Sequence, residues 1–203
     1  MLPTILPLTL KKSIINHLNG LDEESKYLRF GYTPNINGIT KYVDESFKSF
    51  DKSVWFGYID KTECVGAIHV AINDTGDIAE LGISVNSEYR GQKLSSQLFD
   101  RALEFIKSKN ITKVYMQCLS ENTVIQYLAK KYGMKVSNLG GGEKEANAEL
   151  EFDNPIIYKI SSFTNECLGL VDACARHNLW LYTESFSGIF TAFNLPQLFH
   201  NKE

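Results

Sequence analysis

The chain of 203 residues has no cysteine pair at CxxC spacing and no histidine pair at HxxxH spacing. Cys64, Cys118, Cys167 and Cys174 are scattered, as are His17, His69, His177 and His200. The pattern therefore describes neither a metal site nor a disulfide framework, and free or buried thiols in a reducing cytoplasm are expected. No apolar run approaches the roughly 18 residues that a membrane span needs. The opening "MLPTILPLTLKK" is apolar but has no basic segment ahead of it, and Pro3 and Pro7 suit a strand edge or loop. It reads as mature protein and not as a signal peptide. Strong charge is missing too. A formal net charge of −3 gives no basic field for nucleic acid. No GxGxxG follows a strand, and no GxxxxGK with a following Ser or Thr is present, so the dinucleotide fingerprint and the P-loop are both absent.

What remains is an ordinary globular composition, 43% hydrophobic and 22% charged, long enough for one domain and an appendage. "TILPLT" is a short strand candidate, and "LKKSIINHLNGL" has helical spacing at Leu10, Ile14, Ile15 and Leu18. "LDEESKYLRFGY" and "GITKYVDESFKSF" form a second helical region. "SVWFGYID" and "ECVGAIHVAIND" are β-rich runs joined at Asp60, Lys61 and Thr62, a hairpin pattern. "DIAELGISV" follows, with Ala79, Leu81, Ile83 and Val85 on one face and Ile78, Glu80, Gly82 and Ser84 on the other. Residues 91 to 108 read as the clearest helix. Then come a strand, "TKVYMQCL", a helix from Asn122 to a terminal Gly, "NTVIQYLAKKYG", and two strands around "LGGG". The order β-α-α-β-β-β-α-β-α-β-β predicts an α/β fold, a mixed sheet with helices on both faces. Pro155 marks a break, after which residues 155 to 203 are extra.

The chemistry concentrates at "YRGQKLSS", residues 89 to 96, between a strand and a helix. The first amides of a helix lack internal partners and carry partial positive charge, so an anion is stabilised there. Arg90 adds a fixed cation, Gly91 permits a tight turn, and the hydroxyls of Ser95 and Ser96 can donate to phosphate oxygens.

The stretch from Ala79 to Met134 resembles the GNAT superfamily of acetyl-CoA-dependent N-acetyltransferases. The family signature Gln/Arg-x-x-Gly-x-Gly/Ala falls on Arg90, Gly91, Gln92, Lys93, Leu94 and Ser95. "ENTVIQYLAKKYGM" is similar to the family's Asn-x-x-Ala segment, and the likeness extends over residues 1 to 154. It implies a GNAT acetyltransferase domain at 1–154 with a C-terminal helical extension at 155–203. It also implies an N-acetyltransferase that moves acetyl from acetyl-CoA to a primary amine by direct attack, in the cytoplasm, without a metal. In that reading Ile83, Ser84 and Val85 pair with the pantetheine arm, and an amide near Ser84 and Val85 stabilises the oxyanion. Residues Arg90 to Ser96 hold the pyrophosphate, and Asn122 contacts the cofactor or caps its helix. Glu80 is the candidate base, with His69 behind it.

Two departures from the family pattern stand out. Lys93 replaces a Gly, where a cation in the first helical turn opposes the dipole by about 0.3–1 kcal/mol. The position of the family's thiolate-protonating Tyr falls on Ala129, which leaves Tyr127 as the substitute candidate. These departures keep an alternative open: a catalytically weak acyl-CoA-binding sensor or partner-binding module. The tail is dense in apolar residues from Ile156 to Phe199, and between His177 and Asn201 its one formal charge is Glu184. A pair of helices packing on the domain is expected there, or a homodimer surface or a lid over the acceptor cleft. An interfacial membrane helix fits less well, because such helices carry a Lys/Arg-rich polar face.

Overall fold

The computed structural model describes residues 1–49, 51–151 and 155–192, with side chains beyond 154 described from 157 to 177. A mixed seven-stranded sheet runs in the order β1-β2-β3-β4-β5-β7-β6. After the short β1 (Thr4–Ile5), β2 (Ser53–Asp60), β3 (Glu63–Ile72) and β4 (Ile78–Val85) form an antiparallel meander. Helix α4 (Leu94–Ser108) then carries the chain across to β5 (Lys113–Leu119), which is parallel to β4. After α5 (Thr123–Lys131), β6 (Lys135–Gly140) turns through three glycines into β7 (Glu143–Glu149), which inserts between β5 and β6.

The sheet is covered on both sides, as the strand patterns require. On one side, Phe56, Ile68, Leu81 and Ile83 meet Leu98, Phe99, Ile106 and Leu128 from α4 and α5. On the other, Trp55 and Ala67 meet Ile14, Leu18, Ile39 and Val43, from α1 (Lys11–Gly20) and α3 (Ile36–Ser46). β4 alternates buried and open positions as its sequence predicts, with Ala79, Leu81, Ile83 and Val85 buried.

The expected second helical region is two helices, α2 (Glu23–Phe30) and α3. Local chemistry explains the division. Asp22 caps α2 by accepting from the Ser25 N–H at 2.7 Å, Gly31 ends it in a left-handed conformation, and Asn35 caps α3 from Gly38 N–H at 2.9 Å.

The tail also differs from expectation. It is one continuous helix, α6 (Pro155–Ala192), since no proline interrupts residues 156 to 192. It lies along α4 and β1 by its polar edge: Ser162 and Glu166 bind the buried Arg101, and Asp172 accepts from the Leu2 N–H at 2.9 Å. Ile157, Ile160, Phe163, Leu170 and Val171 face solvent. The aromatic positions Trp180, Tyr182, Phe186, Phe190, Phe193 and Phe199 lie outside the described side chains. Among the described residues, no helix is long and apolar enough to cross a membrane.

Candidate active site

β4 and β5 are paired through Ile78–Lys113, Ala79–Val114 and Glu80–Tyr115, and beyond Glu80 they part. The register on the other edge says which groups face the gap. Asn86 N–H donates to the Val65 carbonyl and Asn73 N–H to the Ile78 carbonyl, both at 3.0 Å. Directly opposed residues alternate between bonded and unbonded pairs. Hence Gly82 and Ser84 bond toward β3, and the backbone groups of Ile83 and Val85 point into the gap. The amides expected near Ser84 and Val85 are thus divided, with Val85 on the open side.

Two clefts meet at this gap. One, of about 210 Å³, is lined by Ile83, Ser84 and Val85 of β4, by Arg90 and Ser95, by Asn122 and Ile125, and by Leu21, Glu24, Ser25, Leu28 and Arg29 around α2. The other, of about 200 Å³, is lined by Glu80, Leu81, Gln117, Cys118, Glu143 and the end of α2. Leu28 and Arg29 belong to both.

The strap before α4 has the anion-cradle geometry. Gly91 has φ 77° and Lys93 φ 62°, and no side chain caps the helix. The first bond back to the Lys93 carbonyl comes from Gln97 N–H, which leaves the amides of Leu94, Ser95 and Ser96 outside the helical ladder. Leu94 turns its side chain into the core, so only its amide is available there. Ser96 is engaged elsewhere: its carbonyl accepts from Tyr132 Oη at 2.9 Å and its hydroxyl from Lys131 Nζ at 3.1 Å. Arg90 reaches across to α2, donating to Ser25 Oγ at 2.6 Å and pairing with Asp22 at 3.8 Å. Asn122 accepts from Ile125 N–H and donates to the Leu28 carbonyl, both at 3.2 Å, capping α5 and tying it to α2.

A family model for the acetyltransferase (GNAT) family matches residues 24–134, more than half of the chain. The chain belongs to the GNAT family. Solved structures agree on the fold. The GNAT domain of S. lividans PAT superposes with a TM-score of 0.64 at 18% identity, covering 73% of this chain and 89% of that one. A ribosomal-protein-alanine N-acetyltransferase from Brucella melitensis gives 0.60 at 12% identity, with 74% and 100% covered. The PaiA N-acetyltransferase from Thermoplasma acidophilum, solved in complex with coenzyme A, gives 0.56 at 19%, with 74% and 100% covered. No curated protein sequence matches.

Within this GNAT domain, Lys93 is the N-cap and not part of the first helical turn. Its backbone is left-handed, a conformation that favours glycine and costs roughly 1–2 kcal/mol for a residue with a Cβ. Lys93→Gly is therefore expected to stabilise the fold by about 1 kcal/mol or less, since glycine also gains entropy in the unfolded chain. It should leave coenzyme A affinity within about tenfold, because the strap amides are unchanged. Thermal unfolding and calorimetric titration of the variant check both.

Tyr127 is 73% exposed and is not among the residues lining either cleft, while Ala129 is fully buried. Glu80 is exposed at the second cleft, on the Gly82 face of β4. His69 is a satisfied core residue. The Arg29 guanidinium, which can only donate, gives a hydrogen bond to Tyr42 Oη at 3.0 Å. Tyr42 in turn donates to His69 Nδ1 at 2.8 Å, leaving Nε2–H to donate to Ser53 Oγ at 2.7 Å. His17 Nε2 lies 2.9 Å from Ser84 Oγ. Burial, reinforced by the charge of Arg29, lowers His69 to about 3 and His17 to about 4.

Both imidazoles stay neutral in the fold, against about 6.5 in the unfolded chain. Their stabilising contribution is complete above that value and is lost as pH falls from 6.5 toward 4 for His17 and toward 3 for His69. At pH 5 each should cost about 2 kcal/mol relative to neutrality. Urea unfolding at pH 7 and pH 5 measures this, and His17→Asn should flatten the dependence; an unchanged slope would remove His17 from the account.

The sequence reading missed α2 as a wall of the site, and with it Arg29. One signal was present: a glycine inside a strand marks a close approach, and Gly82 faces Arg29.

Proposed function

We infer that the chain transfers the acetyl group of acetyl-CoA to a primary amine by direct attack. The observation that carries this reading is the parting of β4 from β5 beyond Glu80, which joins a cleft ending at an uncapped helix to a second, acid-lined cleft. In this reading the amides and side chains from Arg90 to Ser96 take the pyrophosphate. Ile83, Ser84, Val85 and Asn122 take the pantetheine arm, with its thioester at the gap.

The amine enters from the second cleft. Its lone pair must be free, and a lysine-like amine with a pKa near ~10.4 needs to lose a proton first. Glu80 removes that proton, directly or through water. Negative charge developing on the thioester oxygen faces the outward amides of β4, those of Ile83 and Val85. With Tyr127 on the solvent face, the C–S bond breaks with the thiolate leaving unaided, which a thiol pKa near ~8.5 allows, and the proton left on the attacking nitrogen passes to water or to that thiolate. Residues 1–154 form the acetyltransferase unit, 155–203 form its C-terminal extension, and the cytoplasm supplies acetyl-CoA.

The burial of Ala129 and the exposure of Tyr127 favour one other reading, an acyl-CoA-binding module without turnover. Thiol release from acetyl-CoA across a panel of amines separates the two. Amine-dependent release supports transfer; tight coenzyme A binding with no release from any amine supports the module. Failure to bind any CoA species would leave the fold alone.

A further inference from the structure

Arg29 sits where the two clefts join. A Cβ added at Gly82 would collide with its Nη2 and Cζ, so the missing side chain of Gly82 is the seat of the guanidinium. Its Cζ lies 5.0 Å from the Phe30 ring centroid and 5.9 Å from that of Tyr42. Nη2 donates to the Tyr42 hydroxyl, while the buried Nε has no hydrogen-bond partner. Among the described residues, no acidic side chain comes within ion-pair distance, although Glu80 and Glu143 line the same cleft. Arg29 is half-buried, and a cation partly withdrawn from water favours an answering anion. Guanidinium is also the group best shaped to grip a carboxylate with two parallel hydrogen bonds.

The second cleft therefore offers a cation at the gap and carboxylates, Glu80 and Glu143, beyond it. Its volume of about 200 Å³ is below the ~300–1,000 Å³ typical of drug-sized ligand sites. We propose that the acceptor is a small amine that also bears a carboxylate, of the α-amino-acid type, with Arg29 holding the carboxylate and the amine turned toward Glu80. A polyamine or a lysine side chain would bring no anion to Arg29 and would set a second cation near it.

This proposal rests on the acetyltransferase reading, and the test separates the two. Free α-amino acids, the same compounds as primary amides, and spermidine are offered to the full chain in the presence of coenzyme A for binding, and of acetyl-CoA for turnover. The free acids should bind and react better than their amides by about tenfold or more, the scale of one charge-assisted hydrogen bond. Arg29→Gln should remove that preference, with Arg29→Lys restoring part of it. Gly82→Ala, which keeps the arginine but denies it its seat, should also weaken the preference. Thermal unfolding of each variant establishes that it folds. Acids that bind with this preference but are not acetylated would support the anion site and overturn the transferase reading. Amides or spermidine bound as well as the acids, or a preference untouched by Arg29→Gln, would overturn the proposal.

Discussion

Glu80→Gln is expected to lower kcat/KM for the amine by about 10²–10³-fold, within the range that a positioned general base contributes. The KM for acetyl-CoA should change little, because Glu80 lines the second cleft and not the one that ends at α4. Glutamine keeps the shape of the side chain and its hydrogen-bonding reach, but it cannot take a proton. The loss should therefore fall on kcat and kcat/KM together, as for an interaction used in the transition state. Raising the pH should recover part of the activity, since the fraction of neutral amine rises about tenfold per pH unit below its pKa. Steady-state rates between pH 6 and 10 for both proteins measure this. A variant within about threefold of wild type at every pH would reassign the proton to water and reduce Glu80 to a charge that attracts the ammonium.

Much of this site was legible in the residues, and the remainder has identifiable reasons for being hidden. The alternation along β4 marks which side chains are buried, because a strand's faces follow directly from period two. It does not say which amides are free. That depends on register with β3 and on where β5 leaves, and both are set by residues far away in the chain. Arg29 was hidden for a similar reason. Nothing in "EESKYLRF" distinguishes it from any surface arginine of an amphipathic helix, and its role comes from lying on Gly82. Lys93 was visible as a departure, but its place in the helix was not: the sequence suggests a residue inside the first turn, whereas the backbone places it at the cap with φ 62°. The tail shows the limit of periodicity. Spacing tells which residues of α6 share a face but not which face turns inward. A buried charge on α4 reverses the usual choice, and the apolar face is left outside.

That charge is Arg101, and Arg101→Ala is expected to destabilise the fold by about 3–5 kcal/mol, the scale of a buried ion pair broken on one side. Its side chain is 3% exposed. Nη1 donates to Ser162 Oγ at 3.0 Å, and Nη2 donates to the Ser162 carbonyl at 3.1 Å and to Glu166 at 2.7 Å. Glu104 pairs with it from one turn along α4 at 3.3 Å, and the guanidinium lies 4.6 Å from the Phe56 ring centroid. Alanine would leave the carboxylates of Glu104 and Glu166 close together with no cation between them. The cheapest relief is for α6 to lift away, because its outer face is already solvated and its inner face is mostly polar. The variant should therefore show both a lower urea midpoint and faster hydrogen exchange over residues 157–177, with the sheet protected until global unfolding. Removing all three charges at once, as Arg101→Met with Glu104→Gln and Glu166→Gln, should recover most of the loss, because no unpaired ion is then left behind. If Arg101→Ala unfolds within about 1 kcal/mol of wild type, the attachment of α6 rests instead on its other contacts, those of Asn165 and Ser161 with Glu104 and of Asp172 with the Leu2 N–H. Substitution at Glu104 and Asp172 together would then be the change that frees the helix.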